Sequence, residues 1–262
     1  MPDIYTAVFT IGDLPADSPI FSELLDSEEI SRVGRLKIPL KSRRLANVHA
    51  QCRLLLTAFI KSREGGFSFD REFAESAVDL SAGAQAAKDR GLIETARGLQ
   101  LCRGTWGKPH IADHPEIKFN LSHSGNLAAV SMACSGDGSS KIGLDLEEID
   151  YKRSFGEIAA RFYHPLENEL LNRCGEAEKA RLFTEIWTRK EACAKMWGTG
   201  LNISFASFSA LADSIAAPPN RLLPDGGLYT CRYLHCWSPR AGFTASSAAN
   251  FVPENALFFN LC

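Results

Sequence analysis

The stretch from Glu185 to Gly198 reads EIWTRKEACAKMWG, and it limits the fold more than any other segment. On a helix, at about 100° per residue, Leu182, Phe183, Ile186, Trp187, Cys193, Ala194 and Trp197 fall on one broad apolar arc. A helix with such an arc has to bury it against another layer of structure. Glu191 and Lys195 lie just past the Trp187 edge of the arc. Four residues apart, their side chains are neighbours, and by themselves they read as an exposed pair worth roughly a few tenths of a kcal/mol. Lys190 is different, because it projects into the middle of the arc. A cation there costs free energy unless it is paired or reaches water. A core-facing lysine beside a glutamate is more typical of a site than of a solvated face. Gly198-Thr199-Gly200 ends the helix in a loop where backbone can approach a ligand.

The rest of the chain mixes strand and helix signals. Ile4 to Ile11 is rich in β-branched and aromatic residues and reads as a strand. Phe21 to Leu56 is mostly helical in pattern, and its part from Leu36 to Arg53 is rich in base. Gly65 and Gly66 break that pattern. Ala74 to Ala96 is expected to contain helix. Lys118–Ser122 and Leu127–Cys134 read as strands joined at Ser124-Gly125-Asn126, and Ile142–Leu146 as a further short strand. Ile158–Phe162 and Leu166–Trp197 read as helices, the second interrupted near Gly175. Phe205 to Phe243 reads as strands between Pro/Gly turns. No regular βαβ repeat is present, so the expected class is α+β. The turn cluster Ser135–Ser140 is the expected boundary, dividing the chain into 1–138 and 139–262, the second part holding the C-terminal strands.

In Ile142-Gly143-Leu144-Asp145-Leu146-Glu147, alternation puts Asp145 and Glu147 on one face and the leucines on the other. Two carboxylates on one face of a half-buried strand repel each other. A divalent cation removes the conflict, and oxygen ligands suit magnesium. The bland alternative is a strand end with two solvated acids. Upstream, Gly107-Lys108-Pro109-His110 sets a lysine in a rigid turn. Asn120-Leu121-Ser122-His123-Ser124-Gly125 sets small donors and a histidine at a strand end. Lysine, serine and histidine all bond phosphate oxygens. The alternative is a turn with Ser124 capping locally and His123 on the surface. A G-x-S-x-G elbow, a Walker loop and a G-x-G-x-x-G helix start are missing from the sequence.

The charge balance of −2 gives no bulk attraction to nucleic acid or an anionic membrane. No apolar run approaches the roughly 18–20 residues of a bilayer span, and the N-terminus does not resemble a signal peptide. The eight cysteines are scattered without a CxxC pair and read as reduced cytoplasmic thiols.

Four segments together resemble the 4′-phosphopantetheinyl transferases of the surfactin-synthetase-activating (Sfp) type. They are WGKPHI (106–111), FNLSHSGN (119–126), IGLDLE (142–147) and WTRKEACAKMWGTGL (187–201). The resemblance implies two pseudo-symmetric α/β halves in one chain, with coenzyme A bound in the cleft between them. It implies transfer of the 4′-phosphopantetheine of coenzyme A to a serine of an apo acyl or peptidyl carrier protein, with release of 3′,5′-ADP. It matches Asp145, Glu147 and Glu191 to acids that bind magnesium, with manganese as the alternative ion. Lys195 matches the lysine that contacts the phosphates of coenzyme A. Glu191 and Lys195 read as the catalytic pair, Glu191 either as the base toward the carrier serine, directly or through water, or as a metal ligand alone. Lys108, Ser122 and His123 match residues that bind its phosphates and nucleotide. Arg44 and Arg53 match bases near its 3′-phosphate, and Lys37 joins them on a looser alignment. The resemblance favours a monomer; the cysteines and the N-terminus point to the cytoplasm, and the charge and apolar runs to neither nucleic acid nor membrane as partner. The pathway served (fatty acid, polyketide, nonribosomal peptide or siderophore) stays open. The segment Glu64–Leu101 is longer than the connection usual in that family and reads either as a surface insertion or as a modifier of cleft access. Two rivals are a metal-dependent nuclease or phosphohydrolase and a non-catalytic module that binds carrier protein.

Overall fold

The computed structural model of the chain describes residues 2–65, 68–80, 90–104, 106–136, 138–152, 155–212, 215–216 and 229–262. Its class is α+β, as expected. The first half is organised by β1 (Ile4–Thr10), whose residues are buried on both faces through Phe9. Such a strand has to sit inside a sheet. It lies between β5 (Leu127–Cys134), antiparallel to it, and β11 (Ala256–Leu261), parallel to it. β4 (Ile117–Ser124) completes the order β11-β1-β5-β4. The second sheet is β6-β10-β9, built from β6 (Ile142–Glu148), β10 (Phe243–Ala249) and β9 (Tyr233–Trp237). The short pairs β2 (Leu101–Arg103) with β3 (Pro109–Ile111) and β7 (Ile215–Ala216) with β8 (Thr230–Cys231) stand apart.

The two sheets pack face to face. Val8, Leu127 and Ala129 of the first meet Leu144, Leu146, Phe243 and Ala245 of the second. Ile4 and Ala133 meet Ile142 and Ala249. The outer face of the first sheet carries Tyr5, Phe9, Val130 and Met132, covered by Val48, Cys52, Leu55 and Phe59 of the long helix α3 (Pro39–Gly65). The outer face of the second is covered by the other long helix, Glu176–Trp197, through Cys193, Met196 and Trp197. The result is a helix–sheet–sheet–helix stack with one long helix on each sheet.

The helical region expected over Phe21–Leu56 divides into α1 (Pro19–Leu24), α2 (Ser27–Gly34) and α3. Asp26 starts α2 with a reciprocal capping box to Glu29. The described parts of Glu64–Leu101 include α4 (Arg71–Val78) and α5 (Arg90–Gly98). Phe69, Ala74, Ala77 and Val78 pack in the α3 core cluster, on the side of the first sheet away from the second. Gly66 and residues 81–89 lie outside the described residues. The expected break at Gly175 falls between α7 (Pro165–Arg173) and the long helix, here α8; α6 (Gly156–Phe162) precedes both. A single-turn helix at Gly200–Asn202 follows α8, and the expected strand region Phe205–Phe243 itself opens with another, Phe205–Ser207, before β7. Residues 213–214 and 217–228 lie outside the described set.

One expectation is corrected. The C-terminal strands were assigned to the second half, yet β11 crosses back and pairs with β1 from Ile4↔Ala256 to Phe9↔Leu261. Its Phe259 and Leu261 pack on the apolar core around Tyr5 and Phe59, which β1 alone would leave open at that edge.

Candidate active site

β6 is the edge strand of its sheet, and its alternation works as the sequence suggests. Leu144 and Leu146 enter the core between the sheets. Asp145 is 3% exposed and Glu147 is half-buried. α8 crosses β6 at Gly143, where a Cβ would run into the carbonyl oxygen of Ala192 and the backbone of Met196. That close approach brings Lys195 over the strand. Its Nζ donates to Asp145 Oδ1 at 2.6 Å and to Ser122 Oγ at 3.1 Å. Ser122 Oγ itself donates to Asp145 Oδ1 at 2.9 Å. Asp145, Ser122 and Lys195, from three elements and both halves, thus form one contact.

Glu191 stands one turn earlier on α8. Its carboxyl is pushed up to about 7, first by burial and then by the charges of Asp145 and Glu147, against the opposing pull of Lys195. The three acids and Lys195 therefore share one electrostatic neighbourhood. The second carboxylate oxygen of Asp145, Oδ2, is buried and has no hydrogen-bond partner. Among the described residues, no three His, Cys, Asp or Glu side chains converge on a point that could hold a metal ion as they stand. The donor set nonetheless suits a hard divalent cation: carboxylate oxygens only, one of them orphaned, crowded enough to raise one acid's proton affinity.

Lys108 lies where the halves meet. Its Nζ donates to the carbonyl oxygens of Ile142, at 2.8 Å, and Met196, at 3.3 Å. Burial, followed by the charges of Lys141 and Lys118, lowers its pKa to about 7. The lysine stands between two clefts. One, of about 200 Å³, is bordered by Trp106, Leu121, Lys195 and Gly198. The other, of about 360 Å³, is bordered by His110, Lys118, Lys141 and Trp197. His123 is exposed at the strand end, and its pKa is lowered by desolvation and then by His49, Lys195 and Arg44. Arg44 and Lys37 are exposed.

Two residues singled out from the sequence are not brought to this place. Arg53 was aligned with bases near a ligand phosphate, but its side chain is fully buried. Nε donates to Glu29 Oε2 at 2.6 Å, Nη2 to Asp26 Oδ2 at 2.5 Å, and Nη1 to the carbonyl oxygens of Ala96 and Leu99. It ties α2, α3 and the end of α5 together. Lys190, read as a sign of a site, is also fully buried. It pairs with Glu167 at 2.8 Å and donates to the carbonyls of Phe205 and Phe208 at 2.7 and 2.6 Å. Its ammonium lies 4.4 Å from the Phe208 ring centroid. It is a structural cation, and its partner is not the neighbouring Glu191. Sequence reasoning did not find Glu167 as that partner, although a glutamate three residues into a helix begun by His164-Pro165 is a visible capping signal. It also left Ser124 as a local cap, whereas Ser124 Oγ donates to Glu147 Oε2 at 2.8 Å.

Comparison with known proteins adds a class to the acid–lysine centre and the clefts beside Lys108. Residues 141–241 match the 4′-phosphopantetheinyl transferase superfamily. The matched stretch holds Asp145, Glu147, Glu191 and Lys195, and the named relatives that match the chain are phosphopantetheinyl transferases. Among named relatives, 4′-phosphopantetheinyl transferase HetI of Nostoc sp. is 28% identical over 196 residues, 72% of this chain and 68% of the relative. 4′-Phosphopantetheinyl transferase Sfp of Bacillus subtilis is 38% identical over 104 residues, 40% of this chain and 43% of the relative. The slr0495 protein of Synechocystis sp., named for the same transferase, is 26% identical over 84% of this chain and 71% of its own length.

Proposed function

We propose that the chain moves the 4′-phosphopantetheine group of coenzyme A onto a serine of an apo acyl or peptidyl carrier protein, as an Sfp-type enzyme. The observation that carries this reading is the contact of Asp145, Ser122 and Lys195 across the two halves, beside Glu191 and the orphaned Asp145 Oδ2. Asp145, Glu147 and Glu191 would hold magnesium, or manganese in its place. When bound, the ion supplies Lewis-acid polarisation of the pyrophosphate. Lys195 stabilises charge on the phosphates as 3′,5′-ADP leaves. Glu191 takes the proton of the attacking serine hydroxyl, directly or through water. Lys108, which lines both clefts, together with His123, Arg44, Lys37 and Ser122, is assigned to the phosphates and nucleotide. The setting we propose is a cytoplasmic monomer without membrane or nucleic-acid partner. All eight cysteines are unpaired, which supports a reducing compartment, and among the described residues no helix is long and apolar enough to cross a membrane.

The test is mass spectrometry of several apo-carrier proteins incubated with coenzyme A, with magnesium or with EDTA. The expected result is a gain of one phosphopantetheine only where magnesium is present. Asp145→Asn and Glu191→Gln are expected to slow that gain by about 100-fold or more, with circular dichroism unchanged. Near wild-type rates in either variant would remove the assignment of these acids.

A further inference from the structure

β6 spends one set of its backbone groups on β10 and leaves the other at the sheet edge. Such an edge needs partners. Here they are the side chains of β4, taken in strict alternation. Asn120 Oδ1 accepts from Leu144 N at 2.9 Å, Ser122 Oγ from Leu146 N at 3.2 Å, and Ser124 Oγ from Glu148 N at 3.1 Å. Each step of two along β4 meets a step of two along β6, so the period of the strands themselves sets the seam. Two of these side chains do a second thing. Ser122 donates to Asp145, and Ser124 donates to Glu147 Oε2 at 2.8 Å. A hydroxyl has one proton to give. Because the Glu148 amide occupies an acceptor site of Ser124, that proton is left for the carboxylate. The turn that follows is shaped for this approach: Gly125 has φ of +55°, and a Cβ there would collide with Glu148 and come within 3.1 Å of Phe243.

We propose that Ser124 is a positioning residue for the acid site: held by the Glu148 amide, it fixes the orientation of the Glu147 carboxylate toward the ion that Asp145, Glu147 and Glu191 bind. This rests on the magnesium-dependent reading above. Asn120 makes the same kind of seam bond but holds no acid, which gives an internal comparison.

The experiment titrates Mn2+ into each protein in the presence of coenzyme A and reads free Mn2+ by electron paramagnetic resonance. Outer-sphere partners of metal ligands are typically worth about 10- to 100-fold in affinity, so Ser124→Ala is expected to weaken Mn2+ at least about 10-fold. Ser124→Thr, which keeps the hydroxyl, is expected to restore binding to within about threefold, and Ser124→Cys, a weak donor of similar size, to follow the alanine variant. Asn120→Ala is expected to lower the melting temperature while keeping Mn2+ affinity within about threefold. At saturating magnesium, kcat of Ser124→Ala should approach wild type, the loss being in the magnesium concentration required. Unchanged Mn2+ affinity in Ser124→Ala, or an equal loss in Asn120→Ala, overturns the proposal and leaves the transfer reading standing. A wild-type protein that takes up no Mn2+ overturns the metal reading and this proposal with it, which is a separate result.

Discussion

Lys108 is a cation that the fold has placed against main-chain carbonyls, and stability should register this as pH changes. Its ordinary pKa of 10.5 falls to about 7 in the folded protein, through burial first and then Lys141 and Lys118. Below about pH 7 it is protonated both folded and unfolded, so the cost of its charge is carried in full. Between the two values the unfolded chain binds the extra proton, and stability must rise with pH across that window. Lys108→Met keeps the stem and removes the titration. Urea unfolding at pH 7, 8 and 9 should show a flatter pH dependence for Lys108→Met than for wild type. Equal slopes would mean that the ammonium is better solvated than its carbonyl contacts imply. At this scale the sequence was informative about positions and poor about partners. Alternation in β6 and the four-residue spacing on α8 are local rules, so Asp145 with Glu147 and Glu191 with Lys195 could be read directly. Lys190 could be recognised as a cation needing an explanation, but its partner Glu167 comes from another helix, as does Glu29, the partner of Arg53. Residue type and local period say nothing about which elements pack together.

At the scale of elements, α8 shows how much a helix owes to one buried pair. Lys190 joins α8 to Glu167 at the start of α7 and to the single-turn helix at Phe205–Ser207. Glu167 also accepts from the backbone N–H of His164 and of Ala210. Removing one member strands the other in the core, which typically costs about 3–5 kcal/mol. Lys190→Met should lose stability of about that size in chemical denaturation. Adding Glu167→Gln, which removes the uncompensated charge, should recover part of it. A Lys190→Met loss below about 1 kcal/mol would show that water reaches the pair. Helix ends were visible in advance where they were punctuated, as at Gly175 and Gly198. The division of Phe21–Leu56 into three helices was not, although its signals, Asp26 with Glu29 and Pro39, were there. The apolar content of the segment masked them.

At the scale of the molecule, the two sheets are stitched in two ways. One is the core between the sheets; the other is β11, which comes after the second sheet and closes the first. Phe259 on β11 meets Tyr5 and Phe69 at ring-centroid distances of 6.4 and 5.9 Å. A chain cut after Asn255 loses these rings and leaves β1 with an open edge. Its melting temperature should fall by about 10 °C or more, with a matching rise in aggregation on heating. A truncated protein that melts like wild type would show that the first half closes unaided. The resemblance implied two halves in one chain, but no sheet order could be read from local pattern. The return of β11 was not legible either, since a short strand carries no mark of which sheet it will join.

The parallel pairing of β1 and β11 has a mechanical consequence. Asp3 leads into β1 at one end of the ladder, and Leu261 leaves β11 at the other. Tension applied between the two sites runs along both strands in opposite senses. The six registered pairs from Ile4↔Ala256 to Phe9↔Leu261 are then sheared together. They are not peeled apart one after another, as the β4–β5 hairpin would be if its ends were drawn apart. The strand that closes the fold also makes it stiffest along the line joining those two points.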